Sequence, residues 1–372
     1  MDLFIGNYAE FDPARDKRLC GNNGKQYACG PLVYNSRFGV LYRNRADGRF
    51  EDVSAHWRPG GWGKVLGAAF ADYEGSHRAS LYLANDENAG NLLQNRGSAF
   101  RDAGSESGTA FSREGRVHGG MGVDWGDYDN DGQMDLFVAT YQDEAKCIYR
   151  NLGSGVFDEL SHKLGVAQRT LPYVAFGAKW LDYDNDGWLD LMIANGHVED
   201  NIHDLDASAS YRQATELFWN DRGKAFADVS GRAGSALLKP IVGRGLAIGD
   251  FDNDGRVDAL VVDSEGAPLL LHNESPKTGH WLSLRLEGVH GNRDGYGAEV
   301  KVTAAGRTQV RVCHTDGSYL SASDRRVHIG IGAATQAAEV SILWPDGRRD
   351  SFASLAAGKE YTLREGDAIH RH

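Results

Sequence analysis

The stretch Asp127-Tyr-Asp-Asn-Asp-Gly-Gln-Met-Asp135 occurs three times in this chain with small changes. The other copies are Asp182-Tyr-Asp-Asn-Asp-Gly-Trp-Leu-Asp190 and Asp250-Phe-Asp-Asn-Asp-Gly-Arg-Val-Asp258. Each copy has aspartates at positions one, three, five and nine, and a glycine at position six that permits a sharp turn. Four carboxylates in one short loop repel one another, and a cation at their centre removes that repulsion. These stretches, the first, second and third Asp loops, therefore predict three metal sites.

Their chemistry favours calcium, because hard oxygen ligands in a flexible loop suit Ca²⁺ better than Mg²⁺ or a transition metal. We expect about three ions, each held by the four Asp side chains and the main-chain carbonyl at position seven. The alternative is three metal-free Asx turns between strands. The predicted ligands are Asp127, Asp129, Asp131, Gln133 and Asp135; Asp182, Asp184, Asp186, Trp188 and Asp190; and Asp250, Asp252, Asp254, Arg256 and Asp258.

The segments around the loops predict strands. An EF-hand would have helices on both sides and a Glu at position twelve. Here an apolar, strand-like segment follows each loop instead, at residues 136–139, 191–194 and 259–262. Each Asp loop is therefore expected to connect two strands.

The loops belong to a longer repeat. Loop starts at positions 72, 127, 182 and 250 are spaced by 55, 55 and 68 residues, and the larger spacing indicates an insertion at residues 196–215. Four short strands in a unit of this size are typical of propeller blades. We therefore expect an all-β fold, a calcium-binding β-propeller with about five blade units. A third strand of each unit ends in Asn: Leu41-Tyr-Arg-Asn44, Leu92-Leu-Gln-Asn95, Ile148-Tyr-Arg-Asn151, Leu217-Phe-Trp-Asn220 and Leu270-Leu-His-Asn273.

Two units depart from the pattern. The stretch from Asp72 to Ser80 aligns with the Asp loops but keeps only two carboxylates, so we expect no metal or a weak site there. Met1-Asp-Leu-Phe4 repeats Met134-Asp-Leu-Phe137, which gives Asp2 the ninth-position role in an incomplete first blade. We therefore expect that the natural protein is longer and that the additional part carries further blades and a signal peptide.

Charge and composition narrow the possible partners. The net charge is −12, and the three Asp loops alone contain twelve aspartates. The acidity is therefore mostly a property of the predicted metal sites, and it argues against a nucleic-acid partner. The chain has no run of about 18 apolar residues, so no membrane span is predicted.

Cysteine usage suggests an oxidising compartment. Cys20 and Cys29 flank a Gly- and Asn-rich loop, where a disulfide is plausible and two free thiols are the alternative. Cys147 and Cys313 lie in strand-like stretches and are expected to be packed thiols. The absence of a CxxC motif from the sequence argues against a Cys-based zinc site.

The repeats stop after Asn273, and residues 274–279 have the composition of a linker. We therefore predict a propeller domain at residues 1–275 and a second β domain at residues 276–372, most simply a small sandwich. Its expected strands are residues 281–286, 298–303, 309–313, 326–331, 339–344 and 361–364.

These motifs resemble a known family. The repeats resemble the FG-GAP/VCBS blades of integrin-α-like propellers. The second domain resembles ASPIC/UnbV domains through segments that include Gly291-Asn-Arg-Asp-Gly-Tyr-Gly297, Gly317-Ser-Tyr-Leu-Ser321 and Trp344-Pro-Asp-Gly347. The resemblance covers essentially the whole chain and implies proteins similar to cartilage acidic protein and to secreted bacterial proteins, some associated with enediyne-type natural-product clusters.

Two functions compete. The leading hypothesis is an extracellular or periplasmic, calcium-stabilised binding or scaffold protein that presents propeller loops to a protein, glycan or small-molecule ligand. The alternative is an enzyme or accessory factor in secondary-metabolite (enediyne-like) biosynthesis or polysaccharide processing. Its candidate catalytic residues are His118, His197 and His203, with Glu199 and Asp200 near the last two.

Neither hypothesis involves a dinucleotide or phosphate cofactor, since the sequence contains no such fingerprint, no HExxH motif and no serine-nucleophile elbow. A histidine that only caps a loop backbone is the simpler reading of His197. We expect any ligand site near His197 on a face of loops rather than in the second domain, whose candidate pair is His314 beside Asp316. A deep axial cleft with two of the histidines beside a carboxylate would favour the enzyme, and a flat rim with exposed aromatic rings would favour the binding protein.

Overall fold

The computed structural model describes residues 2–22, 24–27, 29–57, 63–276 and 279–367. Within these ranges the chain is nearly all β, as predicted, and the strands of its first three quarters form five small antiparallel sheets and one separate hairpin. These strands are β1 (Leu3–Ile5), β2 (Cys20–Asn22), β3 (Lys25–Tyr27), β4 (Val40–Asn44), β5 (Phe50–Asp52), β6 (Val65–Ala71), β7 (Ser80–Asn85), β8 (Asn91–Asn95), β9 (Phe100–Asp102), β10 (Val123–Gly126), β11 (Asp135–Val138), β12 (Cys147–Asn151), β13 (Phe157–Glu159), β14 (Ala175–Leu181), β15 (Asp190–Asn195), β16 (Glu216–Asn220), β17 (Phe226–Asp228), β18 (Gly243–Gly249), β19 (Asp258–Asp263) and β20 (Leu269–Leu271).

Each sheet is one blade. Blade 1 contains β1, β4 and β5; blades 2, 3 and 4 contain β6 to β9, β10 to β13 and β14 to β17; blade 5 contains β18 to β20. The first strands of blades 2 to 5 lie next to one another around a common axis, and the later strands of each blade follow outward in sequence order. Three short helices connect successive blades, namely α1 (Ser54–Trp57), α2 (Gly104–Ser107) and α3 (Ala167–Thr170). A fourth, α4 (Ile202–Leu205), lies in the insertion of blade 4, and a 3₁₀ turn at Pro31–Val33 precedes β4 of blade 1.

This topology gives the propeller two faces. The Asp loops connect the first and second strands of blades 3, 4 and 5, so they lie on one face, called the metal-loop face. The connections between second and third strands lie on the other, called the opposite face. The 196–215 insertion belongs to the opposite face, because it follows β15 in blade 4.

Blade 1 confirms the predicted incomplete first unit. Among the described residues it has three strands, which correspond to the second, third and fourth strands of the other blades. The backbone N–H of Asn44 donates to Asp2 Oδ1 at 2.9 Å, and the N–H of Asn151 donates to Asp135 Oδ1 at 2.8 Å in blade 3. Asp2 therefore has the structural role of a ninth-position aspartate.

Aromatic rings join neighbouring blades. Tyr73 of blade 2 stacks on Trp125 of blade 3 at 6.0 Å between ring centroids, and Tyr128 of blade 3 stacks on Trp180 of blade 4 at 5.8 Å. Each tyrosine occupies position two of its loop, so the loop that carries the carboxylates also places one ring in the core between two blades. These stacked rings are buried and contribute to blade-to-blade packing.

The second domain has two sheets around one apolar core. Its strands are β21 (His280–Glu287), β22 (Glu299–Ala304), β23 (Arg307–Val312), β24 (Val327–Gly332), β25 (Gln336–Leu343), β26 (Arg349–Ala356) and β27 (Lys359–Arg364). One sheet has the order β24-β21-β27 and the other β23-β22-β25-β26, and buried Leu284, Val300 and Trp344 belong to their common core. The predicted sandwich is therefore confirmed. The domain boundary at residue 275 stays a prediction.

One strand of this domain was missing from the sequence prediction. Residues 349–356 form β26, which pairs with β25 along its length. Its buried positions, Asp350 and Phe352, contain only one large apolar side chain, so its sequence lacks the alternating apolar pattern that marks a strand.

The second domain also fills the axis of the propeller. A hairpin-like loop at residues 313–324, called the axial loop, extends along the first strands of blades 2 to 5. Near the metal-loop face, Asp316 Oδ2 accepts the N–H of Phe70 in β6 at 3.0 Å. Further along, Ser318 and Val123 of β10 exchange two backbone hydrogen bonds. The outgoing half of the axial loop thus crosses two blades.

The tip and the returning half contact the other two blades. Tyr319 packs edge-to-face on Phe176 of blade 4, at 4.9 Å between centroids. The returning half bonds to Ile248 of β18 through Ser323 Oγ, at 3.1 Å, and through the N–H of Asp324, at 2.9 Å. Since Ile248 is near the metal-loop end of its strand and Phe176 near the opposite end, the axial loop runs out to the opposite face and back.

Cys20 and Cys29 form a disulfide, as predicted, and Cys147 and Cys313 are buried thiols. The bridged hairpin of β2 and β3 reaches the blade 4 insertion, where Asn201 Nδ2 donates to the carbonyl of Gln26 at 2.9 Å. The disulfide therefore fixes a segment of blade 1 that lies across the opposite face.

Replacing Cys20 and Cys29 together by serine should lower the free energy of unfolding by about 2–3 kcal/mol, because the bridge closes a short loop in the unfolded chain. Chemical denaturation of both proteins measures this difference. Alkylation without reduction, followed by mass spectrometry, should find no modified thiol at either position in protein from an oxidising compartment. Two alkylated cysteines there would contradict the prediction.

Candidate metal centres

The three Asp loops share one backbone shape. Positions four and six adopt left-handed φ angles, which are 55° and 88° at Asn130 and Gly132, 59° and 87° at Asn185 and Gly187, and 61° and 86° at the third loop's Asn and Gly. Asparagine and glycine adopt this conformation at lower cost than other residues. The Asn-Asp-Gly sequence of each loop therefore sets a double turn that folds the carboxylates inward.

Hydrogen bonds hold the first and ninth carboxylates in place. Asp250 accepts the N–H groups of Asp254 at 3.0 Å and Gly255 at 2.8 Å, and Asp258 accepts those of Phe251 at 3.1 Å and Asn273 at 2.7 Å. The first loop repeats the same four bonds, and the second repeats those to Gly187, Tyr183 and Asn220. The loops are thus locally ordered before any ion is considered.

The carboxylates at positions one, three and nine converge in every loop. One oxygen from each lies within 4.8 Å of the others, and the three groups are Asp127, Asp129 and Asp135; Asp182, Asp184 and Asp190; and Asp250, Asp252 and Asp258. These spacings suit oxygen ligands around one cation. The structure therefore brings together three of the four predicted side chains of each site, and each cluster could bind a metal ion.

The aspartate at position five of each loop lies outside the converging cluster and has other partners. Asp131, Asp186 and Asp254 each accept the N–H of position seven, at 2.8–2.9 Å. In the first loop Arg150 also pairs with Asp131 at 3.0 Å, and in the third Arg256 pairs with Asp254. A ligand role for these aspartates, and for the carbonyls of Gln133, Trp188 and Arg256, stays a prediction.

The protein neutralises the charge of these clusters only in part: Arg150 Nε lies 2.6 Å from Asp129 Oδ2, and the Arg311 charge acts on Asp127 and Asp182. Burial raises the pKa of Asp127 to about 7 and that of Asp182 to about 8, and it raises the pKa values of Asp135 and Asp190 well above their ordinary range. Neighbouring aspartates add to each shift. A divalent cation in the cluster would lower these pKa values again, since an opposite charge favours the ionised carboxylate.

The second loop gives an independent indication of a ligand. Asp182 is 3 % exposed, and its Oδ1 atom has no hydrogen-bond partner among the described residues. A buried carboxylate oxygen without a partner is costly. Together with an all-oxygen donor set, this atom fits a hard cation.

The Asn at or just after the end of the third strand has a role in blades 3, 4 and 5 that its repetition alone does not indicate. Asn220 Nδ2 donates to the carbonyl of Leu189 in its own loop at 2.7 Å and to that of Tyr128 in the preceding blade's loop at 2.9 Å. Asn151 and Asn273 repeat both bonds. The recurrence of Asn in five repeats was the available signal for this blade-to-blade link.

Arginines of the second domain contact the Asp loops, and no sequence motif predicts these contacts. Arg311 is buried near Asp127 and Asp182, whose negative charges favour its cationic form. Arg307 donates to the carbonyl of Asp186 and lies over the Trp188 ring at 5.2 Å. Arg326 donates to the carbonyl of Asp250 at 2.6 Å. The second domain therefore reaches the Asp loops of blades 3, 4 and 5 on the metal-loop face.

The degenerate loop of blade 2 keeps the shape and changes the chemistry. Asp72 accepts the N–H groups of Ser76 and His77, and Gly75 and His77 adopt left-handed φ angles of 65° and 58°. Ser80 replaces the ninth aspartate, and its Oγ accepts the N–H of Asn95 at 3.1 Å. The fold of the loop therefore does not require the full set of carboxylates.

A further group combines Asp252 and Asp254 with His272, a residue outside the predicted ligand sets. His272 Nε2 lies 3.1 Å from Asp252 Oδ2. Because Asp252 also belongs to the third Asp loop, this group is an extension of that cluster.

The predicted catalytic histidines occupy separate places. His118 is 2 % exposed, its Nε2 lies 3.2 Å from the Tyr149 hydroxyl, and burial lowers its pKa to about 4. His197 Nδ1 accepts the N–H of Glu199 at 3.0 Å, so its Nε2 carries the proton and donates to Tyr141 Oη at 3.2 Å. His203 is exposed on α4. His197 therefore caps a loop backbone, which is the simpler of the two readings.

Residues 78–138 and 127–193 match the model of an FG-GAP-like repeat, and residues 288–370 match the model of the ASPIC and UnbV domain. The chain is 23 % identical to cartilage acidic protein 1 of Homo sapiens over 361 residues, which cover 80 % of this chain and 52 % of that protein. Cartilage acidic protein 1 of Mus musculus is also 23 % identical, and the alignment covers 93 % of this chain and 49 % of that protein. The chain spans about half the length of these relatives.

Among solved structures, the BP39L lectin of Burkholderia pseudomallei aligns with a TM-score of 0.39 and 11 % identity, covering 89 % of this chain and 94 % of the lectin. The Dos1 propeller aligns with a TM-score of 0.35 and 10 % identity, covering 99 % of this chain and 93 % of the Dos1 propeller. Among the described residues, no helix is long and apolar enough to cross a membrane. The chain is thus an FG-GAP-like repeat protein with an ASPIC and UnbV domain, similar in sequence to cartilage acidic protein 1.

Proposed function

We propose that this protein is a calcium-stabilised binding or scaffold protein of an extracellular or periplasmic compartment. Calcium has a structural role in the proposal: it neutralises the three Asp loops and fixes the ends of two strands in blades 3, 4 and 5. Three copies of one converging carboxylate cluster, beside a fourth loop that folds without it, support three ions rather than one accidental site. The disulfide supports an oxidising compartment.

One observation favours binding over catalysis, namely that the axial loop occupies the propeller axis. An enzyme with a site near His197 would need an axial cleft in which histidines meet a carboxylate. Instead Ser318 and Tyr319 fill the space between blades 3 and 4, and His118 and His197 each bond to a different tyrosine. The ligand surface is then the opposite face itself, where Tyr8, Tyr141 and Tyr319 are partly exposed.

Titration calorimetry tests the metal part of the proposal. Protein freed of divalent ions should bind three Ca²⁺ per chain, and Asp184→Ala should bind two, because the second cluster loses a carboxylate at its centre. Asp158→Ala is the matched control, since Asp158 is exposed on β13 and should leave three sites. A stoichiometry of zero for the wild type, or of three for Asp184→Ala, would refute the assignment.

A further inference from the structure

The tip of the axial loop presents a large apolar side chain to solvent. Leu320 is 85 % exposed and has a left-handed φ of 45°, which is unusual for leucine. Its neighbours prevent it from turning inward, because Ser318 bonds to Val123, Tyr319 packs on Phe176, and Ser321 Oγ donates to the Tyr319 carbonyl at 2.8 Å. The fold therefore holds an exposed leucine at a fixed point on the axis.

Phenol rings from three segments surround that point. Tyr141 and Tyr319 pack on one small apolar cluster of Met121, Val174 and Phe176. Tyr8 comes from blade 1, and its hydroxyl donates to Asp86 Oδ2 at 2.6 Å. We call Leu320, the three tyrosines and the carboxylates beside them the axial surface; the carboxylates are Asp86, Glu87, Glu144 and Glu199.

The axial surface is negative. Burial, and after it the negative charges of the four carboxylates just named, raise the pKa of the Tyr141 phenol to about 12. Three basic residues are near, and each has hydrogen-bond partners of its own. Lys146 Nζ donates to the carbonyls of Tyr141 and Glu144, at 2.8 and 3.2 Å. Lys64 donates to Asn88 Oδ1, and Arg244 donates to the carbonyls of Gly196, Gly243 and His197.

We propose that the axial surface is a docking site for a basic protein segment, in which a Lys or Arg side chain enters among the tyrosines and carboxylates and an adjacent apolar residue covers Leu320. Tyrosine faces attract cations, and carboxylates complement them. Nucleic acids and anionic membranes fit poorly, because both are negative. This inference rests on the proposed binding function and names its partner class; the partner meets the second domain as well as the propeller, since Tyr319 and Leu320 belong to the axial loop.

A random dodecapeptide phage library, panned on the full-length protein in calcium, tests the proposal without a known ligand. Selected peptides should have Lys or Arg next to an apolar residue. The dissociation constant of the best synthetic peptide should rise about tenfold for Leu320→Ser and severalfold for Glu144→Gln, which keeps an acceptor for the backbone N–H groups that Glu144 holds.

Matched controls come from other surfaces. Leu152→Ser changes a leucine that is 57 % exposed on the metal-loop side of blade 3, and Asp158→Asn removes an exposed charge from β13; both should bind as the wild type does. Peptides without basic residues, equal binding by Leu320→Ser, or no selected peptide would each overturn the proposal. Calorimetry with calcium tests the proposed metal role independently of the docking site. If the protein binds the peptide but not calcium, the docking proposal stands and the structural role of calcium is refuted.

Discussion

Removal of calcium should lower the melting temperature of this protein by about 10 °C. A ligand that binds only the folded state stabilises it by about 2.7 kcal/mol at a hundredfold excess over its dissociation constant, so three sites supply about 8 kcal/mol. A chain of this length unfolds with an entropy that converts this energy into a shift of that size. The structural cause is the set of carboxylates at positions one, three and nine, which repel one another when no cation is bound.

Circular dichroism during heating, with and without a chelator, measures the shift. Asp184→Ala should lose about a third of it, because one of three clusters is disabled, whereas Asp158→Ala should show the full wild-type difference. Magnesium at the same concentration should restore less stability than calcium, since Mg²⁺ requires a stricter octahedral geometry. Identical melting curves with and without the chelator, for protein whose bound calcium has been removed and verified by elemental analysis, would contradict the prediction.

The sequence predicted those parts of the molecule that local spacing determines. The Asp loops, the strands after them and the incomplete first blade follow from residues within one repeat, because the carboxylates of a loop lie within nine positions of one another. The disulfide was predictable for the same reason, since Cys20 and Cys29 flank one short turn. The recurring Asn was visible, but its bond to the preceding blade required knowing which blades are neighbours.

The parts that could not be predicted join segments far apart in the chain. Arg311 belongs to β23, yet the carboxylates that surround it belong to blades 3 and 4. The motif from Gly317 to Ser321 was recognised as a mark of the second domain, but nothing in it indicates that it extends along a propeller axis. The predicted ligand site near His197 excluded the second domain, but the tip of the axial loop, which belongs to that domain, lies on the same face as His197.

Lys179→Ala should be among the most destabilising single substitutions in this protein, with a loss of about 3–5 kcal/mol in the free energy of unfolding. Lys179 Nζ donates to Asp124 Oδ1 at 2.7 Å, and both side chains are buried, at 4 % and 1 % exposure. The alanine variant leaves the Asp124 carboxylate in the core without its cation. It also removes the hydrogen bond from Lys179 to the carbonyl of Asp316, 3.1 Å long, which links blade 4 to the axial loop.

A second variant separates the buried charge from the lost contact. In the wild type, the N–H of Trp180 donates to Asp124 Oδ2. Lys179→Met combined with Asp124→Asn removes both charges and keeps an acceptor oxygen for this N–H. This pair should recover most of the stability, because the cost of a broken buried ion pair is mainly the charge left behind. Arg101→Ala, which breaks the exposed pair with Glu106, should cost less than about 1 kcal/mol.

Limited proteolysis then reports whether the axial loop stays in place. If Lys179 helps to hold it, Lys179→Ala should be cut faster between blade 5 and β21 than the wild type, and the double variant should also be cut faster, since neither has the bond to Asp316. Arg101→Ala should be cut at the wild-type rate. If the double variant matches the wild type in cleavage, the lysine stabilises the fold only through its charge, and the other bonds of the axial loop, from Asp316 to Phe70 and from Ser318 to Val123, are sufficient to keep the second domain docked.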